Sequence, residues 1–226
     1  MNVGCPVAAI LYGISRGPVM LYNGQEVGEP GAGREGFGGD DARTSIFDYW
    51  SMPELVKWNN DHTYDGAGLS EEQRSLRSFY ERLLRCIGAP AFRAGSLHLL
   101  NESNRNNPAY GRLPNEQPSG YWLYSFLRFD RETRQRFLAV VNLNHAATMK
   151  DVRVILNQEA LAFLDLGKLD ATMPLFLTER LAAPESFTAT FLLREASDSG
   201  LRIGDIPPLT PLYLEFNAES PGTLEI

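Results

Sequence analysis

Six carboxylates crowd residues 26–48, at Glu26, Glu29, Glu35, Asp40, Asp41 and Asp48. Arg34 and Arg43 lie among them, and Tyr22, Phe37, Phe47, Tyr49, Trp50 and Trp58 surround them in sequence. Acids at this density suit proton transfer or a cation site. Rings beside carboxylates and arginines suit a ligand with flat apolar faces ringed by hydroxyls, as sugars have. Cleaving a glycosidic bond takes two carboxyl groups on opposite sides of it, one donating a proton and the other acting as nucleophile or base. Solvation of a loop is the commoner role of such acids, and core packing accounts for any one of the rings equally well.

Elements on either side must position this stretch. Residues 18–22 are a short apolar run after a Gly-Pro break, which reads as a strand buried on both faces. Asn23, Gly24, Gln25 and Glu26 follow at its carboxyl end, where parallel α/β folds keep their ligand sites. Before it, Val7, Ile10, Leu11 and Ile14 recur at helical spacing and predict a helix over residues 6–16, with Pro6 in its first turn and Gly17 at its end. Residues 27–65 show little periodicity and much Gly, Asp and Asn, so they read as a long loop, a kind usually functional. Within it Ser51-Met-Pro-Glu54 forms a capping box for a short helix to about Trp58. Ser70 and Gln73 form a second capping box, opening a helix with Leu76, Phe79, Tyr80, Leu83, Leu84 and Ile87 on one face until Gly88 and Pro90 stop it.

After Pro90 the apolar period changes from 3.6 to 2. Val152 and Val154 alternate with Asp151 and Arg153, and Phe187, Ala189, Phe191 and Leu193 with Thr188 and Thr190. Residues 121–129 and 137–143 are apolar on both faces and predict a central hairpin around the polar turn 130–135. Several short strands separated by polar turns imply an antiparallel sandwich. The boundary falls near Pro90, with the Asn-, Pro-, Gly- and Ser-rich residues 101–120 as a second candidate.

Composition removes several classes. With 43% apolar and 22% charged residues the chain is an ordinary globular one. Its 21 basic and 28 acidic residues give a net charge of −7, and without a basic run nucleic acid is no expected partner. Residues 7–14 are too short to span a bilayer and lack signal-peptide flanks, so no membrane partner is expected either. Cys5 and Cys86 make no disulfide framework and read as buried or half-buried thiols. His62, His98 and His145 have no metal-ligand spacing. Gly31-Ala-Gly-Arg-Glu-Gly36 has the dinucleotide pattern, but Gly36-Phe-Gly-Gly-Asp-Asp41 opens no amphipathic helix to hold a pyrophosphate. Asn101-Glu-Ser103 matches the glycosylation triplet.

The segment Gly17-Pro-Val-Met-Leu-Tyr-Asn-Gly-Gln-Glu26 resembles the last barrel strand of the α-amylase family of glycoside hydrolases, whose pattern runs Gly, x, Pro, apolar residues ending in Tyr, then Gly-Gln-Glu. Residues 43–50 (Arg-Thr-Ser-Ile-Phe-Asp-Tyr-Trp) resemble the family's following Arg/Pro/Trp segment, with Thr44 and Ser45 departing from it. Residues 75–91 resemble the final barrel helix, and residues 121–144 the C-terminal β-domain. The resemblance implies a C-terminal fragment of a (β/α)8 barrel over residues 1–90, then an all-β antiparallel, Greek-key type sandwich over 91–226. It implies an α-glucan or malto-oligosaccharide substrate, cleaved with retention by the intact enzyme, or transferred if water is kept out. The family's three catalytic carboxylates come from barrel strands that precede this stretch, so the resemblance assigns no catalytic residue here and the isolated chain is expected to be inactive. Glu26, Arg34, Asp41, Arg43 and Trp50 are the expected substrate-binding set, on the loop leaving the strand's carboxyl end. No cofactor is expected, with a structural calcium in the intact enzyme left open. Self-association through the incomplete barrel segment is expected, because a lone parallel strand leaves unpaired edges. A non-catalytic carbohydrate-binding or structural module is the rival expectation.

Overall fold

A computed structural model describes residues 3–30, 52–182 and 188–217. In chain order these form α1 (Gly4–Ile14), a 3-10 turn (Gln25–Val27), α2 (Leu55–Asn59), α3 (Glu71–Ile87), α4 (Pro90–Arg93), β1 (Ser96–Leu99), β2 (Leu123–Phe129), β3 (Arg136–Asn142), β4 (Met149–Val154), α5 (Gln158–Phe163), β5 (Pro174–Glu179), β6 (Thr188–Leu192), α6 (Leu193–Asp198), β7 (Leu201–Ile206) and β8 (Pro211–Asn217). Six strands make one sheet in the order β1-β2-β3-β8-β5-β6, with every neighbour antiparallel, while β4 and β7 make a separate two-stranded ribbon.

Side-chain alternation explains the layering. Leu123, Leu127 and Phe129 of β2, Leu138 and Val140 of β3, and Leu214 and Phe216 of β8 face a core shared with Val152 and Val154 of β4 and with Leu201, Ile203 and Ile206 of β7. The residues between them, Phe126, Phe137, Ala139 and Tyr213, face a second core with Ala8, Ala9 and Tyr12 of α1 and Leu76, Phe79, Tyr80 and Leu83 of α3. The β2–β3 hairpin is thus apolar on both faces because the ribbon covers one and helices cover the other.

This small mixed α/β fold replaces the expected barrel fragment followed by an all-β sandwich. Residues 18–22 are the first reason. They form no strand, and instead of burying both faces they turn Val19 and Leu21 toward the helical core while Met20 is 78% exposed. Pro18 has no N–H to offer a ladder. The second reason is that α1 and α3 lie on the six-stranded sheet, so its second face is a helix interface.

Helix α1 also packs with a different face from the one its periodicity predicts. Ala8, Ala9, Tyr12 and Gly13 are buried, whereas Val7 and Leu11 are exposed. Close approach selects the small residues: a Cβ on Gly13 would lie 2.0 Å from the Tyr213 hydroxyl and 2.6 Å from Phe126 Cζ. The Tyr213 hydroxyl donates to the Ala9 carbonyl, locking helix to sheet. Helix α3 follows its pattern more closely, with the Ser70/Gln73 capping box present and Leu76, Phe79, Tyr80 and Leu83 buried. Leu84 is left exposed, and Cys86 is buried in its place.

Candidate functional site

Residues 15–30 are built from short-range bonds that set the position of Glu26. Ser15 and Gly17 bond each other, and the Tyr12 hydroxyl donates to the Met20 carbonyl at 3.3 Å. The chain then reverses at Gly24, whose φ of 81° favours glycine. A side chain there would also meet Glu29 Cβ at 2.7 Å and Met52 Cε at 3.0 Å. Val27 is wholly buried with Met52, Leu55 and Leu69, anchoring the 3-10 turn.

Gln25 does the positioning. Its Oε1 accepts from the Tyr22 N–H at 3.2 Å, and its Nε2 donates to the Tyr80 hydroxyl at 2.9 Å. Burial pushes the Tyr80 phenol up to about 12, with the Gln25 bond working against it and the neighbouring Tyr12, Cys5 and Glu26 adding smaller raising effects. Tyr80 is therefore a neutral hydrogen-bonding group at ordinary pH rather than a base. Glu26 stands half-buried beside it on the turn.

The neighbouring acids have structural partners. Glu29 Oε2 accepts from the Glu54 and Leu55 N–H groups at 2.8 and 2.9 Å, capping α2 from 25 residues away. The expected Ser51/Glu54 capping box rests on Ser51, which lies outside the described residues; the Glu54 carboxylate accepts from Lys57 Nζ at 2.5 Å and Gln73 Nε2 at 2.7 Å. Gln73 is almost wholly buried and also donates to the Val27 carbonyl at 2.9 Å. One amide thus joins the α3 cap, the 3-10 turn and α2. Nothing in the periodicity marks Gln73 for this, since its capping-box role already accounts for its type.

Of the expected substrate-binding set, Glu26 is placed as described, and Arg34, Asp41, Arg43 and Trp50 lie outside the described residues. So do Glu35, Asp40, Asp48, Phe37, Phe47, Tyr49 and the glycine pattern of residues 31–36. Among the described acids of this segment only Glu26 is left to meet a ligand, and one carboxylate cannot supply the pair that glycoside hydrolysis needs. No group of three or more His, Cys, Asp and Glu side chains among the described residues is arranged to hold a metal ion. His98 stacks on Phe163 with ring centroids 5.2 Å apart. Cys5 and Cys86 are free, and burial raises both thiols, Cys86 to about 12, so neither is a ready nucleophile.

The Asn-rich stretch after β1 is structural as well. Asn101 uses both ends of its amide on β2, donating to the Leu123 carbonyl at 2.7 Å and accepting from the Ser125 N–H at 3.0 Å. Its nitrogen is engaged instead of being presented for glycosylation. Asn104 and Asn107 bond the β4 side, at the Ile155 carbonyl and N–H and the Arg153 carbonyl. No known protein-family model matches the chain, and no curated protein matches it.

Proposed function

We propose that this chain is the C-terminal part of an α-amylase-like glycosidase acting on α-glucosidic bonds of starch- or glycogen-type glucans or oligosaccharides. The observation that carries the reading is the Gly17 to Glu26 segment, which has the order and spacing of that family's pattern and ends in a turn pinned by Gln25 to Tyr80. A fixed turn with a partly exposed acid is the kind of element that lines a substrate cleft. The intact enzyme would supply the catalytic carboxylates from residues outside this sequence and work with retention, while this chain contributes Glu26 and, further along the sequence, Arg34, Asp41, Arg43 and Trp50 to substrate binding.

A second feature supports the reading. Val3, Val7 and Leu11 line the outer side of α1 at 60, 41 and 57% exposure, with Met20 nearby in sequence also in water. Such a stripe is what a neighbouring element of a larger enzyme would cover, and in the isolated chain it favours self-association. The alternative of a non-catalytic carbohydrate-binding module is favoured by Glu26 being the one acid of residues 15–30 without a structural partner among the described residues. The deciding experiment assays the longer protein and the purified 226-residue chain on maltoheptaose, following product anomers by NMR. Turnover with retention by the former and none by the latter is expected. Glucan binding without turnover by the longer protein, or genuine turnover by the short chain, would sink the proposal.

A further inference from the structure

Where β3 begins beside the end of β8, Arg136 pairs with Phe216, and the segment linking α5 to β5 runs alongside. Leu166, Leu169 and Met173 of that segment, with Leu175 of β5 and Phe216 of β8, line a cavity of 260 Å³. The rest of its lining is Arg134 and Arg136. Leu169 is 41% exposed, whereas Leu166, Leu175 and Phe216 belong to the ribbon-side core. At about 30 Å³ per water-sized atom, the space holds a molecule of about eight non-hydrogen atoms. Apolar walls with a few converging polar groups are the usual make-up of a small-ligand site.

Structural duty accounts for only part of the two arginines. Arg136 Nε donates to the Leu164 carbonyl at the C-cap of α5, at 2.7 Å, and Nη1 donates to the Arg134 carbonyl at 2.8 Å. Its Nη2 has no bonded partner among the described residues. Arg134 pairs with Asp165, and the Arg136 and Arg134 guanidinium groups lie 5.0 and 6.0 Å from the centroid of the Phe129 ring. The bond and charge of Arg134, and after them the charges of Arg136 and Arg131, hold the Asp165 carboxyl below its ordinary value. Asp165 thus answers three guanidinium groups. Lys168 and Asp170 flank Leu169 with opposite charges, and the Asp170 carboxylate is taken up by the Thr172 N–H and hydroxyl at 2.8 and 2.7 Å. Burial, and after it the like charge of Arg134, lower the proton affinity of Arg136, a penalty that an anion at Nη2 relieves.

We propose that this cavity binds a small monocarboxylate with an apolar body, its carboxylate on Arg136 Nη2 and the Arg134 guanidinium and its chain against Leu166, Met173, Leu175 and Phe216. Guanidinium groups give carboxylates short charge-assisted bonds of fixed geometry. The apolar walls select against a bare anion, whose hydration they do not replace. The site uses none of the residues of the functional reading above and stands independently of it.

The test is an NMR titration of the full 226-residue chain with its methionine methyl groups labelled. Hexanoate should shift the Met173 methyl with a Kd of about 1 mM and leave those of Met20 and Met52 in place. Acetate should shift none of them, and 1-hexanol should bind about tenfold more weakly than hexanoate. Arg136→Gln should weaken hexanoate by about tenfold and leave hexanol within about threefold. Asp165→Asn frees Arg134 and removes the competing acid, and at φ 56° asparagine is as well tolerated as aspartate. It should tighten hexanoate by about threefold, a readout that stands even if Arg136→Gln fails to fold. An unmoved Met173 methyl, an equal response to acetate, equal affinity for hexanoate and hexanol, undiminished hexanoate binding by a folded Arg136→Gln chain, or binding by Asp165→Asn no tighter than wild type would overturn the proposal.

Discussion

On one face of the six-stranded sheet, Leu127, Leu138, Val140, Leu177 and Leu214 meet the aliphatic side chains of the β4–β7 ribbon, whereas on the other Phe126 and Tyr213 meet the small residues Ala9 and Gly13 of α1. The ribbon face draws its stability from apolar area, so its cost of damage scales with the atoms removed. The helix face draws on fit, and there the damaging change is an added atom. It also holds Arg128, wholly buried, whose Nε donates to the Ala91 carbonyl at 3.0 Å and whose Nη2 donates to that of Phe92, while Nη1 has no partner among the described residues. Its guanidinium lies 5.7 Å from the Phe92 ring centroid, and burial lowers its proton affinity. The two faces therefore differ in polar demand as well as in shape.

The largest effect is expected on the ribbon face. Leu138 is wholly buried between β2 and β8, and Leu138→Ala should cost about 2–5 kcal/mol by lost burial and the cavity left behind. Urea unfolding measures it. A loss well below this range would mean that the ribbon collapses into the gap and that the aliphatic core is as adaptable as a loose one.

Gly13→Ala sharpens the contrast, because two physical effects oppose each other there. Helix propensity favours alanine by about 1 kcal/mol, while overpacking costs about 1–3 kcal/mol. With the added Cβ 2.0 Å from a hydroxyl that is itself bonded to Ala9, overpacking should win, leaving a net loss of up to about 2 kcal/mol. Tyr213→Phe removes the obstructing oxygen and its bond, so alone it should cost about 1 kcal/mol. Combined with Gly13→Ala it should cost less than the sum of the two. Additive losses, or a stabilising Gly13→Ala, would show that α1 does not seat on Tyr213.

Legibility in the sequence followed the same division. Period-2 alternation marked β4 and β6, and doubly apolar runs marked the β2–β3 hairpin, because strand side chains alternate whatever covers them. The Ser70/Gln73 box was readable because capping is local. What covers each face was not readable. Both a second sheet and a helix pair accept an apolar face, and the hairpin pattern is the same for either. The α1 face was misread because Val7 and Leu11 outweigh Ala9 and Gly13 in apolarity, whereas close approach to two aromatic rings selects small size. Residues 18–22 looked like a buried strand by composition, yet strand formation depends on a neighbour that composition does not contain. At the candidate site the motif names Glu26 for substrate binding, and the structure shows its place, half-buried on a 3-10 turn. The partners that fix its turn, Gln25 with Tyr80 and Gln73 with Val27, join residues 55 and 46 positions apart, beyond any local rule.

The smallest effect belongs to the ribbon's outer side, where charges replace the aliphatic packing of its inner side. Arg202 Nε donates to Asp151 Oδ1 at 2.6 Å, and Lys150 Nζ donates to Asp205 Oδ2 at 2.7 Å, all of them well exposed. The Arg202 hydrogen bond, and after it the charges of Arg202 and Arg153, hold the Asp151 carboxyl below its ordinary 3.8. The Lys150 bond does the same for Asp205. A depressed folded value means that the contribution is present above the ordinary value and disappears as pH falls through the folded one, so the window lies below 3.8. Asp151→Asn is a clean probe, since φ at this position is 41° and asparagine tolerates that region as readily as aspartate. Its effect on melting at about pH 7 should be a slight loss, smaller than that of Tyr213→Phe, reduced further by about 0.5 M salt. At a pH low enough to protonate the folded carboxyl, wild type and variant should melt alike. A loss as large as that of Leu138→Ala, or one unchanged between neutral and acid pH, would mean that Asp151 holds the ribbon by backbone geometry and that its ion pairs are incidental.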